Sequence, residues 1–274
     1  MLIDFHTHAF PDKIADRALS SLSPRVNMKP LTDGTVSDLI AKMDEWHVDR
    51  AVVCNIATNP KQTVNVNHFA METNANYGDR LTALGSVNPG FEDISGEMKR
   101  IADAGIPGIK IHPEYMGHTP DDPVFDEIFE AAAELDLFVI THAGFDALSP
   151  SRVYANPDAA LRRIRRSPKT KFVCAHWGAN MMWHETYDKL LSENVWIDTS
   201  LCAFSALDKN FAVKMIDKIG ADRVLFASDC PWASSAETFA YLDSLPLRDD
   251  VKEKIYYANA EKLLKIRAQS KASV

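Results

Sequence analysis

The sequence predicts an α/β protein that closes into a (β/α)8 barrel. Eight short runs of β-branched and apolar residues recur along the 274-residue chain, and amphipathic segments separate them. Alternating strands and helices are typical of a parallel sheet covered by helices, and eight such units in about 250 residues suit a closed barrel. The main alternative is a doubly wound open sheet. A dinucleotide-binding sheet of that kind has a glycine-rich turn after its first strand, and the turn 6-HTHAFP-11 contains no glycine.

The strands and helices follow from the spacing of the apolar residues. The predicted strands are 2–6, 50–56, 81–87, 108–111, 137–141, 171–175, 195–199 and 223–228. Apolar residues at intervals of three and four predict helices over 35–47, 62–77, 93–104, 124–135 and 208–220. Segment 11–35 is longer than a usual βα loop, and we expect a short helix and part of a lid there.

Composition excludes several classes of protein. The chain is 46% hydrophobic and 25% charged, with 30 basic and 38 acidic side chains, so we expect one globular domain over 1–274 and neither a nucleic-acid nor a membrane partner. The run 162-RRIRR-166 is interpreted as the solvated face of an outer helix. The N-terminus has no basic region typical of a signal peptide, and the four cysteines form no CxxC pair. These features favour free thiols in the cytoplasm.

Polar residues at the ends of the predicted strands indicate a metal-binding cleft. Five histidines and an aspartate lie at or just past the carboxyl ends of the predicted strands, namely His6, His8, His112, His142, His176 and Asp229. Because the carboxyl ends of barrel strands converge, we expect these side chains to meet in one cleft. Residues i and i+2 of a strand share a face, so His6 and His8 can approach one ion, with Asp4 one layer below. Three imidazoles and a carboxylate suit zinc and leave a position for water; manganese, cobalt and iron are the alternatives.

Six segments resemble the amidohydrolase superfamily, in order along the chain. They are 3-IDFHTH-8, 108-GIKIHP-113, 141-THAG-144, 175-AHWG-178, 228-SDCPW-232 and 255-IYYANAEKLL-264. The strand 4 segment and the C-terminal segment resemble the amidohydrolase-related branch that contains aminocarboxymuconate-semialdehyde decarboxylase. The resemblance implies a metal-dependent barrel enzyme whose reaction is hydrolysis, hydration or decarboxylation.

The resemblance also implies roles for individual residues. It places one divalent ion on His6, His8, His142 and Asp229, and it places His176 beside the metal-bound water as an acid–base group. Asp229 could share that role, because a carboxylate can both bind a metal and accept a proton. Lys110 could be carboxylated and bridge two metals, as in binuclear relatives, but its Lys-x-His-Pro context resembles the mononuclear branch.

Substrate contacts are predicted in the loops after the strands. Lys110 is expected to point at a substrate carboxylate or to pair with Asp4, and Arg152 is a second candidate for a carboxylate. His112 and Trp177 complete the predicted substrate-binding set. Other loop residues that could line a pocket are Tyr115, Asn180, Phe204 and Trp232.

The sequence is compatible with two classes of enzyme and with one non-catalytic binding function. The favoured hypothesis is a hydrolase in which metal-activated water attacks an amide, ester or lactone of a small molecule. The alternative is a metal-dependent non-oxidative decarboxylase. A barrel that binds a metabolite without catalysis is disfavoured by the intact set of metal-ligand types. A homodimer is expected from the resemblance alone.

Overall fold

Eight parallel strands form the centre of the protein in the computed structural model, which describes residues 1–202 and 206–266. The strands are β1 Ile3–Thr7, β2 Arg50–Val53, β3 Leu81–Ala83, β4 Gly108–Ile111, β5 Phe138–Thr141, β6 Lys171–Cys174, β7 Trp196–Asp198 and β8 Val224–Leu225. Each of the eight predicted strands is observed, and most are shorter than the apolar run that predicted them.

Backbone hydrogen bonds close the strands into a barrel. Continuous ladders join β1 to β3 and β4 to β8. The Lys110 amide donates to the Gly85 carbonyl at 2.8 Å and links β3 to β4, and the Phe5 amide donates to the Phe226 carbonyl at 2.8 Å and links β8 to β1. The predicted (β/α)8 barrel is therefore confirmed, and the open doubly wound sheet is excluded.

Helices surround the barrel. They are α1 Asp12–Val26, α2 Val36–Glu45, α3 Thr63–Tyr77, α4 Ile94–Asp103, α5 Pro113–Met116, α6 Asp126–Glu134, α7 Pro157–Arg166, α8 Trp183–Lys189, α9 Lys209–Ile219, α10 Ser235–Asp243, α11 Asp249–Glu253 and α12 Asn259–Leu264, with a π-helical turn at Lys254–Ala258. The helix expected within 11–35 is fifteen residues long. None of the helices in the described residues is long and apolar enough to cross a membrane.

Apolar side chains fill the barrel below its carboxyl end. Phe5 and Phe138 pack against each other with their ring centres 5.4 Å apart and their planes inclined by 41°. A Cβ atom on Gly108 would lie 2.7 Å from the Phe138 ring, so the position opposite this ring on β4 requires a glycine. This packing leaves the carboxyl end of the barrel, which we call the mouth, as the place where polar side chains collect.

A register shift in β1 separates Asp4 from the histidines that follow it. The pairing of β1 with β2 shifts between Asp4 and Thr7. The Asp4 carboxylate accepts hydrogen bonds from the hydroxyl groups of Ser228 and Ser235, each at 2.6 Å. Because Ser235 is the first residue of α10, Asp4 ties β1 to α10. The prediction that Asp4 lies one layer below His6 is wrong, since the shift breaks the two-residue alternation.

The arginine run on α7 is paired with carboxylates. Arg162 contacts Asp121 at 2.6 Å and Arg165 contacts Glu193 at 2.7 Å, while Arg163 and Arg166 both contact Asp126. The side chain of Arg163 is only 1% exposed, against 60% for Arg162. The interpretation of the whole run as a solvated face is therefore wrong for Arg163.

We predict that Arg163→Met lowers the free energy of unfolding by about 3 kcal/mol, because it leaves buried acceptors unpaired. These acceptors include the backbone carbonyls of Pro120 and Asp122. The matched control Arg162→Met should cost less than about 1 kcal/mol, since exposed ion pairs contribute little. Urea unfolding measures both variants. Equal losses would show that burial does not distinguish the two arginines.

Candidate metal centre at the barrel mouth

The mouth brings together the polar residues predicted at the strand ends. Its described residues include His6, His8, Lys110, His112, His142, His176 and Asp229. Each is buried except His8, whose side chain is 15% exposed. They meet because each stands at or just after the carboxyl end of a parallel strand.

Three of these residues converge on one point. Asp229 Oδ1 lies 3.3 Å from His6 Nε2 and 3.1 Å from His8 Nε2. The Asp229 amide donates to the His6 carbonyl at 2.9 Å, and this bond holds the start of the β8 loop against β1. His6, His8 and Asp229 form one of the groups in which all candidate ligand atoms lie within 4.8 Å of one another.

Hydrogen bonds on the far side of each ring fix which nitrogen faces this point. His8 Nδ1 lies 3.0 Å from the Cys54 carbonyl, which can only accept, so His8 carries its proton on Nδ1. His6 Nδ1 lies 2.9 Å from Asp198 Oδ2. Burial lowers the pKa of His6 well below its ordinary value, so its ring is neutral and its single proton faces Asp198. His6 Nε2 therefore carries a lone pair and can accept from Lys110 Nζ, 3.1 Å away, while His8 Nε2 lies 3.1 Å from Asp229 Oδ1.

Two imidazole nitrogens and a carboxylate oxygen meet at this point, and a cation lying among them could bind all three. Neutral histidine nitrogen and carboxylate oxygen are the ligands that zinc and manganese accept, so this set suits a divalent ion. The Asp198 carboxylate behind His6 matches the outer carboxylates that orient metal-bound histidines.

A second hydrogen-bonded chain starts from the same Asp198. Ser200 Oγ donates to Asp198 Oδ1, so it can only accept from His176 Nδ1, which lies 2.7 Å away. Because its proton is on Nδ1, His176 Nε2 accepts from His142 Nδ1 at 3.1 Å. The chain ends at His142 Nε2, which must carry a lone pair.

His176 therefore has both ring nitrogens occupied. Its Nε2 faces His142 rather than an open position at the mouth. Burial and the neighbouring His142 lower the pKa of His176 well below its ordinary value. We find it positioned to orient His142, which differs from the acid–base role that the resemblance implies.

The resemblance implies that His142 binds the same ion as His6, His8 and Asp229. In the structure, its nearest candidate ligand atoms belong to other residues. Among the described residues it does not join the 4.8 Å set of His6, His8 and Asp229. It belongs instead to a set with His112 and Asp146, and its Nε2 lies 3.8 Å from Asp146 Oδ2.

Lys110 lies on the floor of the mouth. Its Nζ atom is 3.1 Å from His6 Nε2, and the residue is 1% exposed. Among the described residues it forms no ion pair with a carboxylate, so the expected pair with Asp4 is not observed.

The family model described as Amidohydrolase matches residues 3–266. The chain belongs to the amidohydrolase family. The predicted family membership is therefore confirmed.

Several solved structures share the amidohydrolase fold of this chain. A TIM-barrel protein from Bordetella bronchiseptica has a TM-score of 0.76 and 17% identity, covering 96% of this chain and 98% of its own. The 5-carboxyvanillate decarboxylase of Novosphingobium aromaticivorans, in complex with manganese and 4-hydroxy-3-methoxy-5-nitrobenzoic acid, has a TM-score of 0.73 and 19% identity over 97% and 96% of the chains. The 2,6-dihydroxybenzoate decarboxylase from Rhizobium has a TM-score of 0.71 and 16% identity over 96% and 98%.

One of the predicted substrate contacts, Trp177, is buried in the core. Trp177 is 0% exposed, and its indole nitrogen donates to the Thr199 carbonyl at 3.1 Å, so it packs in the core and offers no surface to a substrate. Arg152 is exposed and stacks its guanidinium over the Tyr154 ring at 4.2 Å. His112 lies in the mouth with Tyr115 against its ring. Phe204 lies outside the described residues.

Sequence reasoning missed Asp198, Ser200 and Asp146. Asp198 is the last residue of β7, and Asp229 lies shortly after β8. The search for polar residues at strand ends, which identified Asp229, could therefore also have identified Asp198. Asp146 lies four residues after His142 in a loop, where no periodicity signals its position.

We predict that Asp198→Asn weakens divalent-metal binding about 10- to 100-fold, the usual effect of losing an outer partner of a histidine ligand. The amide would favour a proton on His6 Nε2 and block its lone pair. Competition with a chromophoric chelator measures the affinity. Asp217→Asn, on the exposed face of α9, is the control and should bind as the wild type does. Unchanged affinity for Asp198→Asn would refute this role.

Proposed function

We propose that this amidohydrolase-family protein is a metal-dependent non-oxidative decarboxylase of a small carboxylate. The observation that carries the proposal is the buried Lys110 amine beside the candidate cation site, without a carboxylate partner among the described residues. An ammonium in a low-dielectric cleft attracts an anion strongly, so a substrate carboxylate suits this position.

The fold neighbours support the same reaction class. Two of the similar structures are decarboxylases of carboxyvanillate and dihydroxybenzoate. These substrates carry a hydroxyl group and a carboxylate on one ring. The aromatic wall formed by His112 and Tyr115, whose ring centres lie 4.3 Å apart, could pack against such a ring. We therefore propose a hydroxylated aromatic or similarly conjugated carboxylate as substrate.

His6, His8 and Asp229 would hold the divalent ion. When bound, the ion would supply positive charge that orients the substrate and stabilises its developing negative charge. The donor set suits zinc, and it equally suits manganese, which the carboxyvanillate decarboxylase structure contains.

Decarboxylation requires a proton at the carbon that loses the carboxylate. The carbon–carbon bond breaks, CO2 leaves, and the electron pair remaining on carbon is taken up by the proton. We assign the proton transfer to Asp229, whose Oδ2 would deliver the proton to carbon while Oδ1 faces His6 and His8. His176 would act through His142, because Ser200 and His142 occupy its two nitrogens.

Hydrolysis of an amide, ester or lactone is the second candidate. It rests on the family description and on the cation site, which suits either reaction. A neutral amide would leave the Lys110 ammonium without an anionic partner, and this is why we place hydrolysis second.

Product analysis separates the two reactions. Protein reconstituted with zinc or manganese should release CO2 from one or more hydroxybenzoates, and a chelator should abolish the release until metal is restored. A panel of amides, esters and lactones serves as the comparison. Hydrolysis of that panel without CO2 release from any carboxylate would overturn the decarboxylase proposal.

We predict that Lys110→Met lowers kcat/KM for the carboxylate substrate about 100-fold, as expected when a buried charged partner worth about 3 kcal/mol is removed. Bound metal, measured by elemental analysis, should stay unchanged because Lys110 is not a ligand. Lys61→Met, at an exposed position before α3, is the control. A loss of only a few-fold would show that Lys110 does not bind the substrate carboxylate.

A further inference from the structure

We propose that a cleft on the outside of the barrel binds a small organic ammonium ion with an apolar or aromatic body. This cleft, which we call the side cleft, has a volume of about 340 Å³, within the range of small-molecule sites. Its walls include Leu31, Lys42, Glu45, Trp46, Trp232 and Glu237. These residues are separate from those of the mouth, so the proposal goes beyond the decarboxylase proposal and does not depend on it.

Two helices that follow neighbouring strands form the walls of the side cleft. Helix α2 follows β1 and ends at Glu45, with Trp46 directly after it. Helix α10 follows β8, and the Ser234 hydroxyl caps its start by accepting from the amides of Ala236 and Glu237. Because β1 and β8 are neighbours in the closed barrel, the end of α2 and the start of α10 face each other across the side cleft.

Two tryptophan rings give the side cleft aromatic surface that solvent can reach. Trp46 and Trp232 are both half-buried, and Leu31 in the same wall is 40% exposed. An indole face attracts a cation more strongly than the other aromatic side chains do. An ammonium of the chain itself already uses this attraction, since Lys42 Nζ lies 5.7 Å from the centre of the Trp46 ring.

The charged side chains of the side cleft favour a cation over an anion. Glu45 and Glu237 contribute two carboxylates against the single ammonium of Lys42. Glu237 stands in the first turn of α10, where its carboxylate offsets the positive end of the helix dipole. The net charge of −8 on the whole chain adds a long-range attraction for cations. The side cleft therefore differs in charge preference from the mouth, for which we propose a carboxylate.

Lys42 holds the position that the ammonium of a ligand would take. Its Nζ lies 2.7 Å from Glu45 Oε2, and the two side chains are 28% and 59% exposed. Exposed ion pairs of this kind contribute little, so a ligand ammonium can displace Lys42 from Glu45 and Trp46 at small cost. Removal of the Lys42 charge should then strengthen the binding of a cation, whereas it would weaken the binding of an anion.

The side cleft lies against the loop that carries Asp229. The Trp232 amide donates to the Asp229 carbonyl at 2.9 Å, and the Leu31 amide donates to the Pro231 carbonyl at 2.9 Å. Two wall residues of the side cleft are thus bonded to the segment that leaves β8. A ligand in the side cleft would touch residues that hold this loop without entering the mouth.

Binding of benzylammonium tests the proposal, with benzyl alcohol and benzoate as neutral and anionic probes of similar size. In metal-loaded protein at low ionic strength, benzylammonium should shift the indole N–H signals of Trp46 and Trp232 in NMR spectra. Trp46→Phe and Trp232→Phe identify these two signals. We expect benzylammonium to bind about ten-fold more tightly than either other probe, since it adds cation–π and ion-pair contacts.

Charge variants separate the side cleft from nonspecific attraction to an acidic protein. Glu237→Gln should weaken benzylammonium binding about three-fold, and Lys42→Met should strengthen it by about the same factor. Glu130→Gln, an exposed change on α6, is the matched control and should leave the affinity unchanged. Circular dichroism establishes that each variant is folded.

Three results would overturn the proposal. One is that benzylammonium moves neither tryptophan signal in the folded protein, including the case in which a second copy of the chain covers the side cleft. Another is tighter binding of benzoate with the same shifts, which would make this an anion site. The third is equal weakening by Glu237→Gln and Glu130→Gln, which would show that net charge alone attracts the ligand.

Discussion

The Asp198 carboxylate determines what the mouth can bind. It accepts from His6 Nδ1 through one oxygen, and from the Ser200 hydroxyl and the His176 amide through the other. Each bond fixes a proton away from the mouth. A single buried carboxylate on β7 thus leaves His6 Nε2 unprotonated directly, and leaves His142 Nε2 unprotonated through Ser200 and His176. Without it these imidazoles could adopt either tautomer, and the lone pairs that a metal needs would not be assured.

The barrel explains why one residue can orient histidines from several strands. Parallel strands of similar length end at one edge, so β1, β5, β6 and β7 each deliver a side chain there. The register shift in β1 between Asp4 and Thr7 changes which side chains of this strand face the cleft. It turns Asp4 towards α10 and frees the following residues to face the cleft, so that the structural carboxylate and the candidate ligands are separated.

The strands could be predicted from the sequence because they depend on the local spacing of apolar residues. The residues that line the mouth could be predicted because they lie at the carboxyl ends of those strands. It could not predict partners across the barrel. The contacts of Ser200 with His176 and of Asp146 with His112 join residues of different βα units, and their formation depends on barrel closure and loop conformation. Trp177 illustrates the limit. It directly follows His176 in the sequence, which suggested a place in the cleft. Its backbone instead has a positive φ of 59°, and its side chain lies in the core.

The charge balance of the mouth connects the metal and the substrate. Burial lowers the pKa of His142 to about 3, and the pKa values of His6, His112 and His176 also fall well below the ordinary range. Four neutral rings supply lone pairs but no positive charge. Asp146 and Asp229 then face Lys110 as the nearby cation, and the Lys110 charge is itself a cause of the lowered pKa values of the histidines. Asp198 adds a further negative charge behind His6, and a divalent ion at the mouth would offset this negative charge. If the substrate is the carboxylate proposed above, bound metal would strengthen its binding, so metal loading and substrate binding would be linked by the same electrostatic field.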